Sequence, residues 1–393
     1  MQYRTDTRSG NQLSVLGFGC MRLPRGISGI DAKKTESLVL RAIEEGVNYF
    51  DTAYIYAGSE ETLGKILADN KVREKVYLAT KLPIVNCRQP EDFDRFFDIQ
   101  LARLQTDYFD YYLMHNINSL SQWQALCADG IEDWIARKKA DGYLRQVGFL
   151  FHGSSDEFLK VIDAYDWDFC QIQYNYSDEN YQAGVAGLRR AAEKNMPVIV
   201  MEPLLGGKLA TGLPKSAEAV FSKANPSLTP AAWGLRWLLN QPEVTVILSG
   251  MNGEQQLTDN LATADTTPAG TLTETEQAAY RQVVTIFRNS YKVPCTGCGY
   301  CLPCPQGVNI PGCFAAYNSS FALGRFVGIT QYITSTAANR DATHMASCCI
   351  GCGKCESHCP QNIEIRKALK DVTKRMEPFY IKAVMSQMRR RAK

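Results

Sequence analysis

The sequence predicts an α/β chain in two parts, a parallel (β/α)8 barrel of the TIM type followed by a small, mainly helical domain. Three observations carry this. Short β-rich apolar runs recur eight times with helix-period stretches between them, and strand, crossover, strand repeated eight times is the pattern of a closed parallel barrel. Ten of the 14 cysteines lie between Cys295 and Cys359, which leaves only Cys20, Cys87, Cys127 and Cys170 to the first 294 residues. The composition, 45% hydrophobic and 21% charged over 393 residues, is that of a globular chain long enough for one large domain and one smaller one. Periodicity alone leaves a doubly wound sheet open; the count of eight favours the barrel.

In chain order, strands are expected near Leu13–Gly19, Val47–Thr52, Val76–Lys81, Phe109–Met114, Arg145–Phe151, Phe169–Tyr174, Val198–Pro203 and Val244–Leu248. Helix-period stretches fall between them at Thr35–Glu45, Glu60–Ala68, Phe93–Leu104 and Ile131–Lys139. After Leu261 a Thr- and Ala-rich polar stretch reads as a connection, which places the barrel in 1–275 and the second domain in 276–393. The cysteine-bearing region starts near Tyr291, and the 44 residues between its two cysteine runs look largely helical.

Charge excludes some functions. With 43 Lys or Arg against 41 Asp or Glu, the net charge of +2 gives no global field for a nucleic acid or a membrane. The N-terminal MQYRTDTRSG has no apolar core of a secretory signal. The longest apolar stretches, such as Pro197–Val200, are strand-sized and far short of the roughly 20 residues that span a bilayer. A reducing cytoplasm is the expected location. Residues 360–393 carry ten Lys or Arg and three acids, a +7 tail on a −5 body. Such a tail reads first as a solvated helix end, with docking of an acidic electron-carrier protein as the alternative.

The cysteines stand as Cys295-x2-Cys298-x2-Cys301-x2-Cys304-Pro305 and Cys349-x2-Cys352-x2-Cys355-x3-Cys359-Pro360. A disulfide scaffold would scatter its cysteines as staples; packed runs are the pattern of metal ligands. Three thiolates spaced by two residues wrap one face of a cubane, and a fourth followed by Pro ligates the other cluster in two-cluster ferredoxins. The expected sets are therefore Cys295, Cys298, Cys301 and Cys359 for one [4Fe–4S] cluster, and Cys349, Cys352, Cys355 and Cys304 for the other. Zinc is the competing reading, since Cys-x2-Cys pairs also bind it, but two triple runs ending in Cys-Pro are hard to explain that way. The first run departs in having x2 before its last Cys. Cys313 and Cys348 lie outside the pattern and read as spare or buried thiols.

At the expected strand ends stand Asp51 in FDTAYIY, Tyr56 five residues on, Lys81 in LATK and His115 in YLMH. In a (β/α)8 barrel such residues meet at the C-terminal mouth, where active sites sit. FDTAYIYAGSEETLG, VYLATK, LQTDYFDYYLMH and PAAWGLRWLLNQPEVTVILSG, in this order and spacing, resemble the aldo-keto reductase family over about residues 1–265. The cysteine-rich remainder resembles the ferredoxin-type extension of one branch of that family. The resemblance implies an aldehyde or ketone substrate (or the alcohol, in reverse) and a nicotinamide cofactor. Tyr56 would give the proton to the carbonyl oxygen, Lys81 would lower its pKa from the usual value of about 10, Asp51 would orient Lys81, and His115 would orient the substrate.

The same resemblance implies that Gln171 meets the nicotinamide carboxamide and that Pro203, Leu204 and Gly206 follow the pyrophosphate, with Gly allowing close approach. The chain also departs from the family. Leu150-Phe151, with His152 next, stands where Ser-Asn is usual, and Met201 replaces the Tyr that stacks on nicotinamide. Gly250, Met251, Gln256 and Asn260 occupy the family's phosphate patch and supply neither of the two cations that would grip a 2′-phosphate, so a strong preference for NADPH is not expected. NADH and NADPH both stay open, and so does a flavin.

A redox mismatch remains, because clusters pass single electrons and nicotinamide passes a hydride. Three functions are expected from this: a nicotinamide-dependent carbonyl reductase carrying a cluster domain, a ferredoxin-linked reductase using flavin or direct cluster-to-substrate transfer, and a non-catalytic electron-transfer or partner-binding module.

Overall fold

The computed structural model describes residues 1–26, 29–177, 179–295, 297, 299–337, 344–359 and 361–380. Eight strands close into one parallel barrel in chain order. They are Leu16–Gly19, Tyr49–Asp51, Tyr77–Leu82, Phe109–Met114, Leu144–Phe151, Phe169–Gln173, Val198–Met201 and Val244–Ser249. We refer to them as the first to eighth strands. The eighth pairs with the first through Ile247 and Leu16, and the first with the second through Phe18 and Phe50. Parallel strands covered on both faces are largely apolar, and the buried fourth strand is so apart from Asp110, which pairs with Arg73 at 2.9 Å. Its Tyr111 and Leu113 point into an interior layer with Tyr49, Ala79, Leu150, Phe169, Ile199 and Val246. Tyr112 and Met114 pack outward beneath the helices.

One expected strand divides. Leu13–Gly19 is two segments: Gln12–Ser14 pairs antiparallel with Tyr3–Thr5, and the barrel begins only at Leu16. Ser14 causes the break, because its N–H donates to Asn48 Oδ1 at 2.7 Å and its hydroxyl to Leu16 O at 2.8 Å. The resulting hairpin closes the N-terminal end of the barrel, with Leu13 in the interior layer and Asp6 accepting the Tyr111 hydroxyl at 2.7 Å.

The helix Glu274–Ser290 starts at a capping box formed by Thr273 and Glu276. It spans the expected 275/276 boundary and packs on the barrel's outer core through Tyr280, Val283 and Phe287. Tyr280 donates to Trp233 O at 2.6 Å, and Arg236 pairs with Glu276 at 2.6 Å.

A second apolar core begins at Val293. It is built by the helices Ile310–Ala322, Arg325–Ala337 and Ile365–Met376 around Phe314, Tyr332, Leu369 and Val372. Asn318 ties the incoming chain to this core, accepting from the N–H groups of Lys292 and Val293 at 3.0 Å each and donating to Val293 O at 2.7 Å. The domain rests on loops at the barrel's C-terminal end. A Cβ on Gly297 would come within 3.2 Å of Asn180 O, and one on Gly299 within 3.1 Å of Asp156 Oδ2. Tyr181 donates to Gln331 O at 3.3 Å. Among the described residues, no helix is long and apolar enough to cross a membrane.

Candidate functional site

The site is built on Lys81, which sits in the third strand beside the end of the second and is fully buried. Its ammonium meets Asp51 Oδ1 and Oδ2 at 2.7 Å each and Thr52 O at 2.6 Å. Three donors meet three acceptors, so the buried cation is matched in both charge and hydrogen bonding. Burial nevertheless raises the Asp51 pKa, against the lowering by Lys81. Behind this pair lies a polar network of Glu60, Thr80, Gln100 and Tyr112. Glu60 Oε1 accepts from Thr80 Oγ1 and Gln100 Nε2 at 2.7 Å each, and Gln100 Oε1 accepts the Tyr112 hydroxyl at 2.7 Å. Gln100 also donates to Lys81 O at 3.1 Å, which fixes the strand that carries the lysine.

Tyr56 lies on the turn after the second strand. That turn is pinned where Thr52 donates to Ser59 Oγ at 2.8 Å and Ser59 in turn donates to Cys20 O at 2.9 Å. Lys81 Nζ stands over the Tyr56 ring, 5.4 Å from its centroid. The His115 ring meets Tyr56 edge-on, with centroids 6.3 Å apart and planes at 89°. His115 follows the fourth strand and is held there by its N–H on Leu82 O at 3.1 Å.

The expected effect of Lys81 on Tyr56 is corrected. The phenol is held well above its ordinary pKa, first by burial and then by Asp51, Glu202 and Cys20. Lys81 already gives its three protons to Asp51 and Thr52, and the adjacent carboxylate offsets its charge. Tyr56 is therefore protonated across the neutral range, the state a proton donor needs. Burial, Lys81 and His152 likewise hold His115 well below the ordinary histidine range, so its imidazole is neutral.

His152, one residue past the fifth strand, completes the polar floor. Its N–H donates to Asn118 Oδ1 at 2.7 Å, and its Nδ1 lies 3.1 Å from Gln182 Oε1. Gln182 Nε2 reaches Gln173 Oε1 at 3.2 Å. An amide oxygen only accepts, so Nδ1 carries the proton and Nε2 is left as the acceptor. Burial lowers the His152 pKa to about 4. Gln171 is buried in the sixth strand, and its Oε1 finds no partner among the described residues. A buried acceptor without a donor is costly, and a primary carboxamide at this position would satisfy it.

On the far side of the mouth, Met201 ends the seventh strand among the interior residues. The loop that follows turns back through left-handed backbone at Glu202 (φ 52°), Leu205 (φ 46°), Gly206 (φ 64°) and Gly207 (φ 90°). Pro203 and Leu204 lie within that turn, and Leu204 O accepts from Gly207 N–H at 2.9 Å. Gln256 and Asn260 face the loop after the eighth strand. Gln256 Oε1 accepts from Asn252 N–H at 2.9 Å, and Asn260 donates to Ser249 Oγ at 2.9 Å. Both therefore shape that loop. Leu150 lies in the interior layer and Phe151 in the outer core, so neither presents the polar group usual at those positions.

The thiols form two sets. Cys304, Cys349, Cys352 and Cys355 line one recess of ≈ 330 Å³, with Ile310, Arg366 and Leu369. Burial, Glu356 and the neighbouring Cys349 and Cys304 push the Cys355 thiol pKa up. Gly351 donates its N–H to Cys349 Sγ at 3.4 Å. Cys295, Cys301 and Cys359 line a second recess of ≈ 320 Å³, with Phe314, Ile363 and Ile365. The fourth thiol expected there, Cys298, lies outside the described residues, as do Pro360 and residues 381–393 of the basic tail. Among the described residues, no group of three or more His, Cys, Asp or Glu is gathered closely enough to hold a metal ion. Ligands of a cubane bond separate irons and stand further apart than ligands of one ion, so thiols spread around a recess suit the larger group.

A sequence model of the aldo/keto reductase family matches residues 15–271. The chain belongs to the aldo/keto reductase family. It is an oxidoreductase of that type, and a 4Fe-4S dicluster domain follows at residues 294–364. Methylglyoxal reductase YeaE of Escherichia coli is 29% identical over 221 residues, 55% of this chain and 74% of that protein. The Schizosaccharomyces pombe aldo-keto reductase yakc, named for NADP(+), is 22% identical over 303 residues, 66% of this chain and 86% of that protein. The holo form of aldo-keto reductase AKR11C1 from Bacillus halodurans shares the fold at a TM-score of 0.60 and 23% identity, over 72% of this chain and 96% of that one.

Within this aldo/keto reductase the mouth gathers Asp51, Tyr56, Lys81 and His115, with Gln171 and Met201 in neighbouring strands of the same barrel. Gln256 and Asn260 are instead spent on their own loop. Sequence reasoning missed Glu60 and Gln100, which brace Lys81 from behind, and Glu202, whose charge reaches Tyr56. A charged residue at the start of an amphipathic helix reads as solvent-facing, yet Glu60 is 1% exposed. Its partner Arg103, 3.2 Å away, is 43 positions distant, too far for any local pattern.

Proposed function

We propose that the chain is a nicotinamide-dependent carbonyl reductase, running in reverse as an alcohol dehydrogenase, whose barrel is joined to two [4Fe–4S] clusters. The convergence of a protonated Tyr56 and a neutral His115 beside the Asp51–Lys81 pair carries this reading. A nicotinamide dinucleotide at the mouth would supply the hydride, and the clusters would carry single electrons.

The chain's own residues do the rest. Tyr56 Oη gives its proton to the carbonyl oxygen as negative charge builds there. His115, uncharged, hydrogen-bonds the same oxygen and fixes which face of the carbonyl is presented. The Asp51–Lys81 pair sets its ammonium against the face of the Tyr56 ring and fixes where that ring stands. Gln171 Oε1, which finds no partner among the described residues, suits the carboxamide, and the Gly206–Gly207 turn suits an approaching diphosphate. Cys304, Cys349, Cys352 and Cys355 would hold one cluster, and Cys295, Cys298, Cys301 and Cys359 the other.

A ferredoxin-linked reductase is the second reading. It is favoured by the approach of Gly297 to Asn180 and of Gly299 to Asp156, which would place one cluster beside the mouth.

The test is purification without oxygen, a visible spectrum, and titration with NADH and NADPH in the presence of a small aldehyde. The first reading predicts cluster absorption without flavin and nicotinamide oxidation matched by alcohol formed. Flavin absorption at the outset, with no reaction of either nicotinamide, would shift the assignment to the second.

A further inference from the structure

The two thiol recesses are placed differently in the molecule. The recess of Cys295, Cys301 and Cys359 lies on the side of the barrel, where the turn at Gly297 and Gly299 approaches Asn180 and Asp156. The recess of Cys304, Cys349, Cys352 and Cys355 reaches the surface: Cys352 is exposed, and Ile350, between the thiols of that run, is 65% exposed. Ile310 lines both recesses, so they share a wall.

The helix Ile365–Met376 borders the outer recess through Arg366 and Leu369. Its Ile365, Leu369, Val372 and Met376 turn into the core. Arg366, Lys370 and Lys374, spaced four apart, form one exposed stripe along its flank. Arg366 also lies over the loop of the second run, since a Cβ on Gly353 would stand 3.6 Å from its Cζ. Exposed Lys354 is the next residue of that loop. The acids of this region are occupied or turned away. Glu356 pairs with Arg366 at 2.7 Å and Glu364 with Lys367 at 2.9 Å. Asp371 lies toward Tyr317, whose phenol pKa is raised by burial and then by Asp371. Lys354, Lys370 and Lys374 are left without an acid partner among the described residues.

An exposed thiol and an exposed apolar side chain, rimmed by unneutralised lysines, have the make-up of a transient redox contact. The apolar centre gives close approach, and the rim steers a partner of opposite charge into place. We propose that this face, centred on Cys352 and Ile350 and rimmed by Lys354, Lys370 and Lys374, is the docking surface of a small acidic one-electron carrier protein. This rests on the proposed assignment of a cluster to Cys304, Cys349, Cys352 and Cys355. One electron leaves the carrier and one enters that recess; no bond forms or breaks and no proton moves. The wall at Ile310 is then the boundary the electron crosses toward the barrel-side recess.

The test uses the full, cluster-loaded protein without oxygen, with an acidic flavodoxin as the probe. Calorimetry measures binding of the oxidised probe, and stopped flow follows reoxidation of the reduced probe by the protein. Lys354→Glu/Lys370→Glu/Lys374→Glu is expected to weaken binding and slow electron transfer by about tenfold or more at low ionic strength. It should also lose most of the wild type's decline in rate with added salt. The same reversal at exposed barrel lysines, Lys33→Glu/Lys75→Glu/Lys223→Glu, should leave both quantities within about twofold of wild type. Reduced methyl viologen, a small cation, should reduce the first variant at least as fast as the wild type, with equal iron content. Binding and transfer by the first variant within about twofold of wild type overturn the docking surface and leave the cluster assignment standing. So does a wild type that methyl viologen reduces but flavodoxin neither binds nor reduces. Self-association of the wild type that the first variant abolishes, with flavodoxin rates unchanged, would give the face to a second copy of the chain and overturn the proposal. Protein that holds no iron after reconstitution overturns both the docking surface and the cluster assignment.

Discussion

Lys81 stands over the ring of Tyr56, 5.4 Å from its centroid, while its protons go to Asp51 and Thr52. The pair therefore meets through the ring face and the field of the ammonium, without a hydrogen bond to the phenol oxygen. A cation placed this way, its charge offset by Asp51, leaves the phenol protonated in the resting protein.

Tyr56→Phe removes the proposed acid and little else. Carbonyl reduction should fall by about 10²–10⁴-fold, with nucleotide Kd and iron content unchanged, measured by steady-state rates and parallel titrations. For the wild type, kcat/KM for reduction should be flat through neutral pH and decline only above about pH 10, because burial raises the pKa of Tyr56.

Lys81→Met strands a buried carboxylate at Asp51. Denaturant unfolding should show a loss of about 3–5 kcal/mol. Adding Asp51→Asn should recover a large part of it, since the double variant buries no unpaired charge. Equal losses in the single and double variants would show that the pair is not coupled.

Histidine burial sets an acid limit. The folded pKa of His152 lies at about 4 against about 6.5 for an unhindered imidazole. The unfolded chain thus binds the extra proton first. Stability should be complete above about pH 6.5 and fall by on the order of 2–3 kcal/mol as the pH drops toward 4. His152→Gln should flatten this part of the Tm-against-pH curve.

The proposed thiol sets cross between runs. Cys304→Ser and Cys352→Ser should each abolish the same cluster, and Cys359→Ser the other, each removing about half of the bound iron. Iron analysis and electron paramagnetic resonance of the reduced protein read this directly. Loss of the same signal in Cys359→Ser and Cys352→Ser would refute the crossed pairing.

Much of this was legible because the signals are local. The eight strands are apolar runs bounded by turns, and Asp51, Lys81 and His115 sit at their ends, so the barrel register alone gathers them. The cysteine-rich dicluster domain was legible through spacing, and Cys304 lines a recess with Cys349, Cys352 and Cys355. What escaped depends on distant partners. The division of Leu13–Gly19 rests on Asn48 reaching Ser14. The direction of the Tyr56 pKa depends on how many acceptors surround Lys81, which spacing does not reveal. Arg22 and Glu202 come from loops 180 positions apart and show their meeting only in space.

The most direct test is a single-turnover experiment without oxygen, in which the cluster-loaded protein is mixed with reduced nicotinamide dinucleotide and a small aldehyde. The account predicts that each nicotinamide oxidised yields one alcohol in the wild type, and that Tyr56→Phe binds the nucleotide as tightly but forms none. Alcohol formed at the wild-type rate by Tyr56→Phe, or from reduced clusters with no nicotinamide consumed, would contradict it.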